Sequence, residues 1–126
     1  MRALRLWLPV IGYMAVIFYV SSLSDAPLPQ GVTDISAHML GYVGLGVVCA
    51  RAFAGGLPAR MTPGIAAAAL ALAVGYGVTD ELHQMFVPGR SAELKDLGSD
   101  AVGAAAGIVA CWAWGIIWLR AGRHDF

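Results

Sequence analysis

Charge is what this sequence has least of. Only 13% of its 126 residues are Asp, Glu, Lys or Arg, about half the share in a soluble domain of ordinary composition. The formal net charge is zero, which removes any bulk electrostatic attraction to nucleic acid or another polyanion. Cysteine is as sparse: Cys49 and Cys111 both lie inside apolar runs, where a thiol behaves as a small hydrophobe, so neither a disulfide framework nor a thiolate metal site is expected. No H-E-x-x-H, C-x-x-C or G-x-S-x-G pattern occurs, and the serines lack a convincing base partner. The chemistries those motifs carry are therefore unsupported. No long linker, low-complexity segment or internal repeat interrupts the chain, and residues 1–126 read as a single transmembrane domain.

What is abundant is apolar sequence: 59% of the residues are hydrophobic, with a mean hydropathy of +0.70. A membrane-spanning helix needs about 20 predominantly apolar residues, and four stretches qualify: Leu6 to Leu23, Ile35 to Phe53, Pro63 to Gln84 and Leu97 to Leu119. The first has the look of a signal peptide, but its apolar run is too long and an A-x-A cleavage site is missing. It reads as an uncleaved helix. Thr62 followed by Pro63 suits the cap and first turn of the third span. The expected fold is all-α, a polytopic four-helix bundle.

Orientation follows the placement of Lys and Arg. Arg2, Arg5, Arg51, Arg60, Arg120 and Arg123 lie at the termini and in the middle connection; only Arg90 and Lys95 lie in the other two. Both termini should therefore be cytoplasmic. Seven of the eight acids, all but Asp125, then fall on the outer loops or outer helix ends.

The ionisable residues concentrate between Asp80 and Asp100, which hold five of the eight acids. Asp34 and His38 are spaced i, i+4 on one helix face, with Tyr42 one turn further in. Asp34 alone reads equally well as a helix cap. His38 sits deeper in an apolar helix and is harder to dismiss. Asp80, Glu81, His83 and Gln84 close the third span. Acids at a helix C-terminus oppose the macrodipole, and each costs on the order of 3 kcal/mol at hydrocarbon depth, so this pair needs a partner or a function. His83 reads as an interfacial residue reaching for the membrane surface. Pro88-Gly89 marks a turn that aims Arg90. As a rim residue Arg90 would meet lipid head groups; as a site residue it is the counter-charge for Asp80 or Glu81, or a donor fork for an anionic ligand.

The fourth span opens with Asp96 and Asp100, and Gly103 and Gly107 continue the same face, all four within about 60° of one another at 100° per residue. A small-xxx-small face packs closely, so Asp100 is expected inside the bundle. The glycine face can serve within the chain or against a second copy. Short connections would bring Asp34, His38, Asp80, Glu81, Gln84, Arg90, Asp96 and Asp100 together at one membrane face. So many carboxylates cannot all stay ionised without a cation, a proton or water. Oxygen-rich ligation with one His suits Mg²⁺, Ca²⁺ or Mn²⁺, with His38, Asp80, Glu81, Asp96 and Asp100 as candidate ligands.

With these residues in place, the chain resembles the VanZ-like family of small bacterial membrane proteins. The matching pieces are D-I-S-A-H at 34–38 with Tyr42, D-E-L-H-Q at 80–84, F-V-P-G-R at 86–90 and D-L-G-S-D-A-V-G-A-A-A-G at 96–107. They are similar to the family's D-K-x-x-H…Y, D-E-x-x-Q-x-F-x-x-x-R and D-x-x-x-N-x-x-G. Ser21-Ser22 matches a serine-containing segment more weakly. Two departures stand out: Ile35 replaces a frequent Lys and Asp100 a usual Asn, both making the site more negative. The resemblance implies a cell-envelope role and low-level resistance to glycopeptide antibiotics, notably teicoplanin. An outer-face site suits a lipid-linked envelope substrate, a peptidoglycan precursor or a lipoglycopeptide. As an enzyme, a metal-dependent hydrolase or transferase, it would use Asp34, His38, Asp80, Glu81 and Asp96 for chemistry, and Tyr42, Gln84, Arg90 and Asp100 to bind substrate. The alternatives are a non-catalytic accessory module and a small proton-coupled transporter. The transporter is disfavoured because no acid lies between Asp100 and the inner end of the fourth span.

Overall fold

The computed structural model describes residues 1–23, 31, 34–89 and 94–123, and only the backbone of residues 34, 35 and 123. Those residues form four helices: α1 (Arg2–Ser21), α2 (Asp34–Ala54), α3 (Pro63–Gln84) and α4 (Leu94–Arg123). All four contain a stretch long and apolar enough to cross a membrane, and no strand occurs among the described residues. The expected all-α four-span architecture is what the chain adopts.

Local sequence sets the helix ends. Thr62 caps α3, its hydroxyl accepting from the Ile65 backbone N–H at 3.1 Å, and Pro63 occupies the first turn, where its missing N–H costs nothing. α2 stops at Gly55, whose φ of +80° belongs to the left-handed region that ends helices. The Gly56 N–H then closes back on the Arg51 carbonyl at 2.9 Å. α1 is shifted toward the N-terminus relative to its apolar stretch, ending at Ser21, and α4 outruns its own at both ends. α1 begins at Arg2, and α4 runs from Leu94 to Arg123 over 30 residues, roughly 45 Å of helix.

The spans alternate in direction. α2 and α4, which run parallel, form the most extensive contact, α3 packs on both, and α1 touches only α2 and α3. The α2–α4 contact is a meeting of backbones. A Cβ on Gly103 would collide with the Met39 carbonyl, one on Gly107 with the Val43 carbonyl, and one on Gly46 with the Ala104 carbonyl. Of the two uses expected for the Gly103/Gly107 face, packing within the chain is the one the fold realises: α2 fills it. The reason is spacing, since two small residues one turn apart admit a neighbouring backbone, and α2 supplies one.

α1 is held by hydrogen bonds to backbone more than by burial; only Val10 and Ser21 of its side chains are buried. Tyr13 donates to the Gly41 carbonyl at 2.6 Å and Tyr76 to the Met14 carbonyl at 2.5 Å. Pro9 contributes indirectly. It has no N–H, so the Arg5 carbonyl loses its helical donor, and Arg51 supplies one from α2 at 3.1 Å. Arg2 donates to the Gly55 carbonyl at 3.0 Å. Arg2, Arg5 and Arg51 thus gather at one end of the bundle. All four tryptophans lie toward that end, Trp7 in α1 and Trp112, Trp114 and Trp118 in the second half of α4. The buried acids lie at the other.

Candidate functional site

At the acidic end three helices turn polar side chains toward one another. α2 contributes His38 and Tyr42. α3 contributes Asp80, Glu81 and Gln84, and α4 contributes Asp96, Ser99 and Asp100. Apart from His38, which is partly buried, each of these residues is buried. The i, i+4 arithmetic explains the convergence: His38 and Tyr42 lie on one face of α2, and Asp96 and Asp100 on the glycine face of α4 that α2 covers.

The centre is a contact between His38 Nδ1 and Asp100 Oδ1 at 2.9 Å, across 62 residues of sequence. With a proton on Nδ1 this is a hydrogen bond from imidazole to carboxylate. Asp100 is wholly inaccessible, while the His38 side chain keeps 14% exposure. The pair resolves the problem of an acid placed deep in an apolar helix. Its second oxygen, Oδ2, has no hydrogen-bond partner among the described residues, and neither has the hydroxyl of Tyr42. A buried polar atom left so costs about 1–3 kcal/mol.

Glu81 reaches the same place from α3. One ligand atom each from His38, Glu81 and Asp100 lie within 4.8 Å of one another. The Asp80 carboxylate is near enough to act electrostatically on both Tyr42 and Asp100, and that of Asp96 on both His38 and Asp100.

Some expected members fall elsewhere. Arg90 lies outside the described residues. So does the side chain of Asp34, whose backbone opens α2. The turn meant to aim Arg90 is present as far as Gly89, which takes φ of +80°. His83 faces away from the cluster. It stacks on Phe18 of α1 with ring centroids 4.1 Å apart, and its Nε2 is 3.4 Å from the Ser22 hydroxyl. It makes a helix-to-helix contact, α3 to α1.

Two residues escaped the sequence reading. Gly77, one turn before Asp80 and Glu81, gives α4 its room: a Cβ there would stand 3.2 Å from Asp100 Oδ2, 3.3 Å from Leu97 Cδ1 and 3.5 Å from Tyr42 Cε1. The only signal was its position on the face that carries Asp80, Glu81 and Gln84. Ser99 is buried beside Asp100 and donates to the Lys95 carbonyl at 3.0 Å, a bond within its own helix that sequence does not distinguish from a surface serine's.

Four apolar spans, three of which enclose a buried cluster of carboxylates and one imidazole, define a multi-pass α-helical membrane protein with a polar centre near one end of its bundle. A family model described as VanZ/LLP1 matches residues 9–118, and the chain belongs to that family. No curated protein and no solved structure matches it.

Proposed function

We propose that the chain is a single-domain protein of the bacterial cytoplasmic membrane. Both termini lie in the cytoplasm, and the polar centre at the outer face binds or chemically alters a lipid-linked envelope molecule, contributing to teicoplanin resistance. The substrate class is a peptidoglycan precursor, an envelope lipid or a lipoglycopeptide, all reachable from that face. The observation that carries this reading is the convergence of His38, Glu81 and Asp100 from three different helices on one point. Polar groups inside a membrane bundle are costly and mark function by default. The gathering of Arg2, Arg5 and Arg51 at the opposite end supports the orientation under the positive-inside rule.

In this reading His38 or Glu81 serves as general acid/base. Asp34, Asp80 and Asp96 complete the reacting group. Tyr42, Gln84, Arg90 and Asp100 hold the substrate, Arg90 on its anionic head group. A second reading has an observation of its own. Asp80, Gln84 and Asp100 are at most 2% exposed, as befits a polar lock fastening three helices in a non-catalytic accessory module.

The test is teicoplanin susceptibility in cells carrying His38→Ala or Asp80→Asn, with membrane insertion checked by fractionation. Loss of resistance in inserted variants is the expected result; wild-type resistance in both would refute a working site.

A further inference from the structure

The clearest unmet demand in the fold lies between α2, α3 and α4. Asp100 Oδ2 and the Tyr42 hydroxyl are buried without a hydrogen-bond partner among the described residues, on residues 0% and 2% exposed. Both side chains stand against the bare backbone of Gly77, whose missing Cβ would otherwise press on Asp100 Oδ2 at 3.2 Å and on the Tyr42 ring at 3.5 Å. A wholly buried carboxylate oxygen with no donor calls for something positive.

We propose that His38, Glu81 and Asp100 hold one divalent cation of Mg²⁺ or Mn²⁺ size, tying α2, α3 and α4 together at the acidic end. The inference rests on this polar centre being the protein's working site, and adds what occupies it. Donor chemistry sets the class: two carboxylates and one imidazole suit a hard or borderline ion over a thiophilic one. Ligand number narrows it further. One ligand atom each from His38, Glu81 and Asp100 lie within 4.8 Å of one another. Calcium takes about six to eight oxygen ligands, more than this set supplies, whereas Mg²⁺ keeps several waters beside one or two carboxylates. Coordination through Nδ1 requires His38 to release the proton it shares with Asp100, which leaves to water. Water fills the remaining positions, and the Tyr42 hydroxyl is a buried hydrogen-bonding group for one such molecule.

The test uses the full chain purified in detergent, stripped with a chelator and titrated with Mn²⁺ alone, the free ion being read by electron paramagnetic resonance. Wild type is expected to take up one Mn²⁺ per chain, displaced by excess Mg²⁺. Glu81→Gln and Asp100→Asn, each verified as helical and monodisperse, are expected to bind at least about tenfold more weakly. Asp100→Asn preserves shape and an acceptor oxygen for His38, so it remains informative where a bolder variant would misfold. No saturable uptake by wild type, or unchanged affinity in both variants, overturns the inference. Resistance lost in His38→Ala without any Mn²⁺ uptake refutes the cation and keeps the working site. Uptake by wild type, with resistance intact in His38→Ala and Asp80→Asn, keeps the cation and refutes the working site.

Discussion

Replacing Gly103 by alanine should damage both the scaffold and the polar centre. The new Cβ would stand 3.0 Å from the Met39 carbonyl carbon and 3.1 Å from its Cα, and closer still to the carbonyl oxygen. Non-bonded carbons rest about 3.5–4.0 Å apart, so α2 and α4 must part by at least about 0.5 Å. Both obstacles are backbone, and no side-chain rotation can absorb the strain. Met39 directly follows His38, so the displacement reaches the 2.9 Å contact with Asp100. Overpacking costs about 1–3 kcal/mol, and weakening a hydrogen bond inside a membrane bundle adds about 0.6–1.7 kcal/mol. Together they predict a loss of roughly 2–4 kcal/mol. Gly75 is the matched control, an exposed α3 glycine with nothing within 4 Å of its added Cβ. There alanine's helix preference, about 0.5–1 kcal/mol, makes the change neutral or stabilising. Unfolding in mixed micelles, followed by far-ultraviolet circular dichroism, measures both. Equal stability of the two variants would refute the backbone-contact account of the α2–α4 interface.

Three further outcomes follow from the same contacts. Tyr76→Phe removes the donor to the Met14 carbonyl and should cost about 0.6–1.7 kcal/mol, read by the same unfolding measurement and by faster hydrogen exchange along α1. His83→Ala deletes the stack on Phe18; it should loosen the end of α1 by about 0.5–1.5 kcal/mol while teicoplanin resistance stays at wild-type level. Asp100→Leu leaves His38 Nδ1 without its acceptor and should be about 1–3 kcal/mol less stable than Asp100→Asn, a comparison that separates the hydrogen bond from the charge.

The features legible in the sequence are those written locally. α3 runs between the bounds expected of it because Thr62, Pro63 and the polar run at Asp80–Gln84 are local punctuation. The inward position of Asp100 followed from its sharing a face with Gly103 and Gly107. Partners were harder to read. A small-xxx-small face announces close packing but not against what, and only the fold shows that α2 lies there, meeting it with its own Gly46. The stack of His83 on Phe18 was not legible, because Phe18 is distant in sequence and nothing near His83 hints at it. The roles of Gly77 and of the carbonyl freed by Pro9 were invisible for the same reason: each depends on what another helix brings to it, Asp100 in one case and Arg51 in the other.

The pairing of α2 with α4 also fixes a timetable. Spans emerge from the ribosome in order, and α2 enters the bilayer well before the partner that covers its glycine face exists. Until α4 follows, His38 lacks the Asp100 carboxylate 62 residues downstream, and the groove along Met39 and Val43 is open to lipid. α1 and α3 can associate with α2 in the meantime, but the polar centre can close only when the fourth helix arrives. A chain stalled before that point carries an imidazole in the membrane without its acceptor, a mark by which an unfinished molecule differs from a finished one.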